Sequence, residues 1–441
     1  MKKTLSFLAA VSLILTGCAS GGAASAASSA GSAQAEEQET EEQNTEEQDK
    51  EETAAITDDS VKTLSLNLPA LSGGLGQLQL QEKTDLSEEE TAEANRAMRA
   101  YSPISTPLIN NAEHFYYYEQ LDSTAQKIYD AMLLAVENPA DPNNIVIYST
   151  TDDIETPEFA DALWLAYYAM LYDHPELFWL YNDTKATMNF GVPYVPSAPG
   201  TNELYIYFEE PYEDFEEDVQ AFNDAAEKFL SDIDLTASEA EIALAIHDKL
   251  IETVTYDYDV MASGTAKDLA HTAYGALVEN SRGDKKTAVC DGYSLAYEYL
   301  LQQAGLEAAV IVGTAGNDPS DLGGHAWSIV KVDGEWYEVD STWDDAGSLD
   351  DMLEDYKTTD AYPYYREALD DVTYRDAIQH YLFEVPTATM ESFVLTDEYY
   401  YSSKDGLYSY TILSDGIHVR ASEDSEWFPY NKLIETAPIA E

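Results

Sequence analysis

Three side chains in one stretch of this sequence could do covalent chemistry together. Cys290 stands in Val289-Cys290-Asp291-Gly292-Tyr293, His325 in Gly324-His325-Ala326-Trp327, and Asp340 in Val339-Asp340-Ser341-Thr342-Trp343. A thiol that gives its proton to an imidazole becomes a nucleophile for a carbonyl carbon. A carboxylate behind the imidazole fixes its tautomer and steadies its charged form. The chain has two cysteines, Cys18 and Cys290. If Cys18 is consumed elsewhere, no internal disulfide can form, and Cys290 is either a reactive thiol or a buried inert one.

The elements around these residues can be read from pattern. From Cys290 the apolar residues Leu295, Tyr299 and Leu300 recur at helical spacing, and Gly305 suits the residue after a helix end. Cys290 is thus expected at a helix N-terminus, where unsatisfied N–H groups favour a thiolate and can stabilise an oxyanion. Ala308 to Val312 reads as a buried strand. Asp333-Gly334 is a two-residue hairpin signal between strands 324–332 and 335–340. If Val332 faces Glu335, Trp327 faces Asp340 and His325 faces Thr342. His325 and Asp340 then share a face as diagonal neighbours, with backbones roughly 7–8 Å apart. A slip of one residue would separate them.

These blocks resemble the transglutaminase-like superfamily, relatives of the papain-like thiol proteases. The Cys290, His325 and Asp340 blocks match the family's nucleophile, base and acid. His247-Asp248-Lys249-Leu250 and Ala273-Tyr274-Gly275-Ala276-Leu277 match flanking blocks of its bacterial surface members. The likeness runs from about Leu235 to Phe393. It implies an α+β, papain-like core, with the helix bearing Cys290 packed on an antiparallel sheet. It leaves the reaction open, because the family includes cross-linking acyltransferases, peptidases, amidases and inactive scaffolds. Ser328 stands where many relatives carry Asn. Tyr274, Trp327, Ser328 and Trp343 are candidates for oxyanion or supporting roles. No cofactor or metal motif accompanies them: from Asp340 to Asp351 the calcium-loop pattern fails, with Asp345 where Gly is needed.

Residues 1–17 read as a signal peptide, with Lys2 and Lys3 before an apolar run from Leu5 to Leu15 that is too short to span a bilayer. Leu15-Thr16-Gly17-Cys18 resembles a bacterial lipoprotein signal, which implies lipidation of Cys18 and a membrane-held, extracytoplasmic protein. Residues 18–95 form a Ser/Ala/Glu-rich stretch expected to be a flexible acidic tether. The leucines from Leu64 to Leu80 could add a short docked strand. A net charge of −62 repels phosphates, which argues against nucleic acid and against a polybasic contact with lipid headgroups.

Residues 96–234 are expected to form an N-terminal α+β region, 235–395 the catalytic domain, and 396–441 a small C-terminal β meander turning at Asp405-Gly406 and Asp415-Gly416. In the first region Leu121 to Glu137, with Ser123 as cap, and Pro157 to Tyr172 read as helices. His174 reads as a charge at a helix C-terminus before Pro175. The helix opened by the Ser238–Glu241 capping box carries a stripe of Ile242, Ile246, Leu250 and Val254. His247 falls off that stripe and is expected to be exposed or to line the helix. The loop after Asp344 reads as solvated.

The combined expectation is a lipid-anchored thiol enzyme acting on a protein, peptide or peptidoglycan-type amide through a thioester, with hydrolysis preferred. Acyl transfer to an amine and a non-catalytic binding module stand as alternatives.

Overall fold

The computed structural model describes residues 61–64, 80–83 and most of 109–420. Within the last span it leaves out 142–143, 193–198, 209, 266, 279–285, 317–319, 321, 346–378, 381, 386–389, 391–392 and 404–405. Cys18 and most of the expected tether lie outside the described residues.

In chain order, strands β1 (Val61–Leu64) and β2 (Leu80–Lys83) precede helix α1 (Ser123–Val136), strand β3 (Val146–Thr150) and helix α2 (Pro157–Asp173). Strands β4 (Met188–Gly191) and β5 (Asn202–Phe208) follow, then helices α3 (Phe215–Leu230) and α4 (Glu239–Thr253). Asp122, not Ser123, caps α1, because its carboxylate accepts from the N–H groups of Thr124 and Ala125. Pro157 occupies the first turn of α2, and Thr156 caps it. The Ser238–Glu241 box opens α4 as expected. The first sheet has the order β1-β2-β4-β5-β3. Two short strands from the stretch expected to be tether therefore pair with the folded protein, β2 directly on β4.

The second half begins with β6 (Val254–Tyr256), α5 (Tyr258–Ser263) and α6 (Ala273–Leu277). Then come β7 (Lys286–Ala288), α7 (Cys290–Gln303), β8 (Ala308–Gly316), β9 (Gly323–Val332), β10 (Glu335–Val339), α8 (Ser341–Asp344), β11 (Phe393–Ser403) and β12 (Gly406–Arg420). Gly305 ends α7 with φ of 87°, a left-handed geometry that a glycine adopts without penalty. The chain then reverses into β8, and β9 reverses again. Asp333 and Gly334, with φ of 52° and 88°, form the tight turn to β10. Val332 pairs with Glu335, which is the register read from the sequence.

The second sheet runs β10-β9-β8-β12-β11. The C-terminal strands are not a separate meander. Residues Ile417 to Arg420 of β12 pair antiparallel with Gly316 to Gly313 of β8 and so extend the core sheet. Asp415-Gly416, expected to turn, lies inside β12. The junction requires a glycine. A Cβ on Gly313 would stand 2.1 Å from the Val419 carbonyl oxygen and 2.9 Å from the Trp327 ring. Gly313→Ala should therefore lower stability by about 1–3 kcal/mol through overpacking, measured by urea unfolding.

One hydrophobic core runs from Tyr117 to Met390 and crosses the boundary expected at 234/235. Polar bonds tie the same surfaces. Tyr117 donates its hydroxyl to the Val310 carbonyl. Tyr299 donates to Ile109 O at 2.9 Å, and Gln302 to Asp173 O at 3.3 Å. The Asp173 carboxylate, wholly buried, accepts from the N–H groups of Tyr117 and Tyr118 at 2.9 and 2.8 Å and from the Tyr129 hydroxyl at 3.1 Å. Its neighbour His174 stands at the C-terminus of α2, as expected. It is buried, with Nδ1 2.7 Å from Glu176 Oε1.

Burial, opposed by the two N–H donors, raises the Asp173 pKa to about 7. The folded state therefore keeps a proton that the unfolded chain releases near pH ~4. This contribution is complete below that value and is lost as pH rises through about 7. Melting temperature should fall from mildly acidic to mildly alkaline pH. Asp173→Asn should flatten that limb and also lower stability by about 1–3 kcal/mol, because an amide N–H meets donors where the carboxylate accepted.

Candidate active site

Cys290 is the first residue of α7 and is half-buried. Val289 precedes it with no side-chain cap, and within the first turn the Gly292 N–H donates to Asp291 Oδ1 at 3.1 Å. The helix start sits close against another backbone: a Cβ on Gly292 would lie 2.3 Å from the Ala270 carbonyl oxygen. Val289 N–H donates to that same oxygen at 2.9 Å. Beside Cys290, both oxygens of Asp291 lie 2.9 Å from His271 Nδ1. Although burial lowers it, the His271 pKa is raised by the Asp291 charge. Tyr181 faces the same place. Burial first, then Tyr172, Asp291 and Cys290, push its phenol well above the ordinary value.

His325 lies on β9, opposite Gly313 of β8. Its Nε2 is 2.6 Å from Asp340 Oδ2, and both side chains are fully buried. Asp340 is also the N-cap of α8: Oδ1 accepts from the N–H groups of Thr342 and Trp343 at 3.0 and 3.1 Å. Burial alone would raise the pKa of this acid. The charge of His325 and the hydrogen bonds from His325 and His418 outweigh it and hold the carboxyl far below the usual range. His418 Nε2 reaches the same Oδ2 at 2.8 Å. Trp327 stacks on the His325 ring at 6.0 Å and donates Nε1–H to Glu338 Oε2 at 2.5 Å. Trp343 lies 5.8 Å from His325 and 4.6 Å from His418, ring to ring.

Chain direction relates α7 to this pair. Because β8 reverses after α7 and β9 reverses after β8, β9 runs broadly with α7. Ser328 Oγ donates to Ser294 O of α7 at 3.4 Å. Cys290 is one turn before Ser294, and His325 is three residues before Ser328, so both lie toward the same end of the layer. Strand alternation puts Ser328 under the helix and puts His325 and Trp327 on the sheet's other face. Gly323 and Gly324 place no side chain at the strand end between those faces.

Other expected contributors are placed as follows. The Tyr274 hydroxyl is 3.4 Å from Asp218 Oδ1 and its ring stacks on Phe222, so Asp218 already engages the group an oxyanion would need. His247, expected off the buried face, is fully buried. Its Nδ1 is 3.2 Å from Asp248 and its Nε2 3.2 Å from Asp344. Asp344 is itself buried, whereas most of the loop after it lies outside the described residues. Burial lowers the His247 pKa, but the two carboxylates outweigh that and lift it to about 8. The sequence pattern missed His247 because a helix packed on two sides buries residues off its main stripe.

Two groups bring potential metal ligands within 4.8 Å of one another: His247, Asp248 and His380, and His325, Asp340 and His418. In each, one carboxylate oxygen already stands within hydrogen-bond reach of both imidazoles. Asp248 Oδ1 is 3.2 Å from His247 Nδ1 and 2.7 Å from His380 Nε2.

Residues 228–341 match the profile of the Transglutaminase-like superfamily. A solved structure described as "Crystal structure of a TGase" is similar at 17% identity over 45% of this chain, with a TM-score of 0.23. The chain spans 51% of that structure's length. No curated protein matches the chain. The segment containing α7 to β10 is thus a transglutaminase-like domain with an α+β core, and it includes Cys290, His325 and Asp340.

Asp340 links two imidazoles and a helix start. Asp340→Ala should therefore cost about 3–5 kcal/mol in urea unfolding, as expected when one partner of a buried charged pair is removed. Asp340→Asn, which keeps Oδ1 for the cap, should cost less.

Proposed function

We propose that the chain is a thiol enzyme of the transglutaminase-like type that cleaves a peptide or cell-wall amide. The observation that carries the reading is the buried His325–Asp340 pair, at the same end of the layer as a cysteine on the first turn of a helix. In this reading the Cys290 thiol passes its proton to the imidazole of His325 around the strand end that Gly323 and Gly324 leave without side chains, and the sulfur attacks the amide carbonyl carbon. First-turn N–H groups of α7 receive the oxyanion. The C–N bond breaks, His325 returns the proton to the departing amine, and a thioester remains. Water then adds to the thioester, giving its proton to His325. The C–S bond breaks, and the acid and the thiol are released. Asp340 holds the ring in one tautomer throughout.

Transfer is the second reading. Here an amine replaces water in the last step and a new amide forms. The net charge of −62 favours it, because such a field gathers cationic amine donors. The Cys18 motif supports lipid anchoring on the extracytoplasmic side, with the acidic segment as spacer. No helix among the described residues is long and apolar enough to cross a membrane.

Iodoacetamide should modify Cys290 at neutral pH at least about tenfold faster than a free model thiol, and Asp340→Asn should remove most of that advantage. Ordinary thiol reactivity, with Cys290→Ala unchanged in any cell-surface assay, would favour a non-catalytic module. New amino termini released from a peptide substrate would select hydrolysis, and a labelled amine joined to a glutamine side chain would select transfer.

A further inference from the structure

His418 lies well outside the matched segment, which ends at residue 341. It lies on β12, 78 positions after Asp340, yet its Nε2 is 2.8 Å from Asp340 Oδ2. Its side chain is wholly buried. The route is set by the sheet. His418 pairs with Ala315 and Arg420 with Gly313, while Gly313 also pairs with His325. Paired residues share a face, so His418, Arg420, His325 and Trp327 all project from one side of the sheet. Strands β12 and β9 are two steps apart, about 10 Å. Their side chains meet because Gly313, between them, has none. Arg420 closes the circuit from the same strand by pairing with Glu338, which also takes the Trp327 indole N–H.

We propose that His418 is a positioning residue of the site: its Nε2–H holds Asp340 Oδ2, the oxygen that also holds His325, so the C-terminal strand sets the orientation of the imidazole and the strength of its carboxylate bond. The inference rests on the thiol reading above and adds a member from outside the family segment. The acceptor is shared. Asp340 Oδ2 takes two imidazole donors while Oδ1 takes two backbone N–H groups. Each donor draws on the same charge, so removing one strengthens the hold on the other.

The titratable and charged groups facing His418 are His325 on β9, Glu338 on β10, Asp340 at the start of α8, and Arg420 on its own strand. Burial above all, reinforced by the His325 charge and opposed by Asp340, lowers the His418 pKa, which suits a neutral ring donating Nε2–H. Trp343 and Trp327 pack edge-on against that ring at 4.6 and 5.1 Å and fix its plane.

The test uses the full chain with nitrogen-labelled histidine and three forms: wild type, His418→Phe and His418→Gln. The glutamine amide keeps an N–H at similar reach, so it serves as both rescue and folding control. Two readouts apply, the His325 Nε2–H resonance and the pH profile of Cys290 alkylation by iodoacetamide. His418→Phe should move the resonance. It should also shift the alkaline limb of the profile upward by about half a pH unit or more, because Asp340 then holds the His325 proton more firmly. His418→Gln should restore both.

A folded His418→Phe protein with both readouts unchanged would overturn the inference and leave the thiol reading standing. So would a folded His418→Gln protein that restores neither. Ordinary thiol reactivity in the wild type would instead remove the thiol reading, and the positioning role with it.

Discussion

The Asp340 carboxylate is the constraint on which the site depends. It is buried and ionised, and water does not reach it. Four donors take the place of water: His325, His418 and the backbone N–H groups of Thr342 and Trp343. A buried charge is tolerable only when its lone pairs are satisfied in this way. The four donors come from three different parts of the construction. The β9 strand brings His325, the C-terminal strand brings His418, and the first turn of α8 brings the two N–H groups. One carboxylate therefore fixes the end of the hairpin, starts a helix and ties the last described strand to the core.

The rest of the fold serves that arrangement at a distance. Helix α7 is packed against the sheet on one side and against the N-terminal elements on the other. The bonds from Gln302 and Tyr299 to the backbone of Asp173 and Ile109 make the first half of the chain a support for α7. Those bonds hold the last turns of α7, while its start is held by the Val289 N–H donating to the Ala270 carbonyl at 2.9 Å. A second buried pair, His247 with Asp344, secures the far end of α8 to α4. Residues Asp340 and Asp344 thus anchor both ends of one short helix through imidazoles from different elements.

Legibility in the sequence followed the range of the interaction. The hairpin was readable because its turn is local: Asp333-Gly334 demands positive φ, and alternation then carries Asp340 to the His325 face. The α7 start and its Gly305 end were readable for the same reason. His418 was not. Its partner lies 78 residues away, and its strand carries Asp415-Gly416, a pair that suggests a turn where the structure has continuous β12. His247 escapes the sequence pattern because one apolar stripe predicts one buried face, whereas α4 is enclosed on two sides.

The sequence by itself determined a cysteine at a helix start, the hairpin that pairs an imidazole with a carboxylate, and the order of elements between them. These depend on backbone propensities and periodicity within a few tens of residues. Tertiary structure alone decided that a second histidine shares the carboxylate, that the Tyr274 hydroxyl is taken by Asp218, that the N-terminal half shares one core with the matched segment, and that the C-terminal strand extends its sheet. Those outcomes depend on which surfaces meet across long sequence separations, and on a glycine at 313 whose lack of a side chain lets two strands' histidines converge.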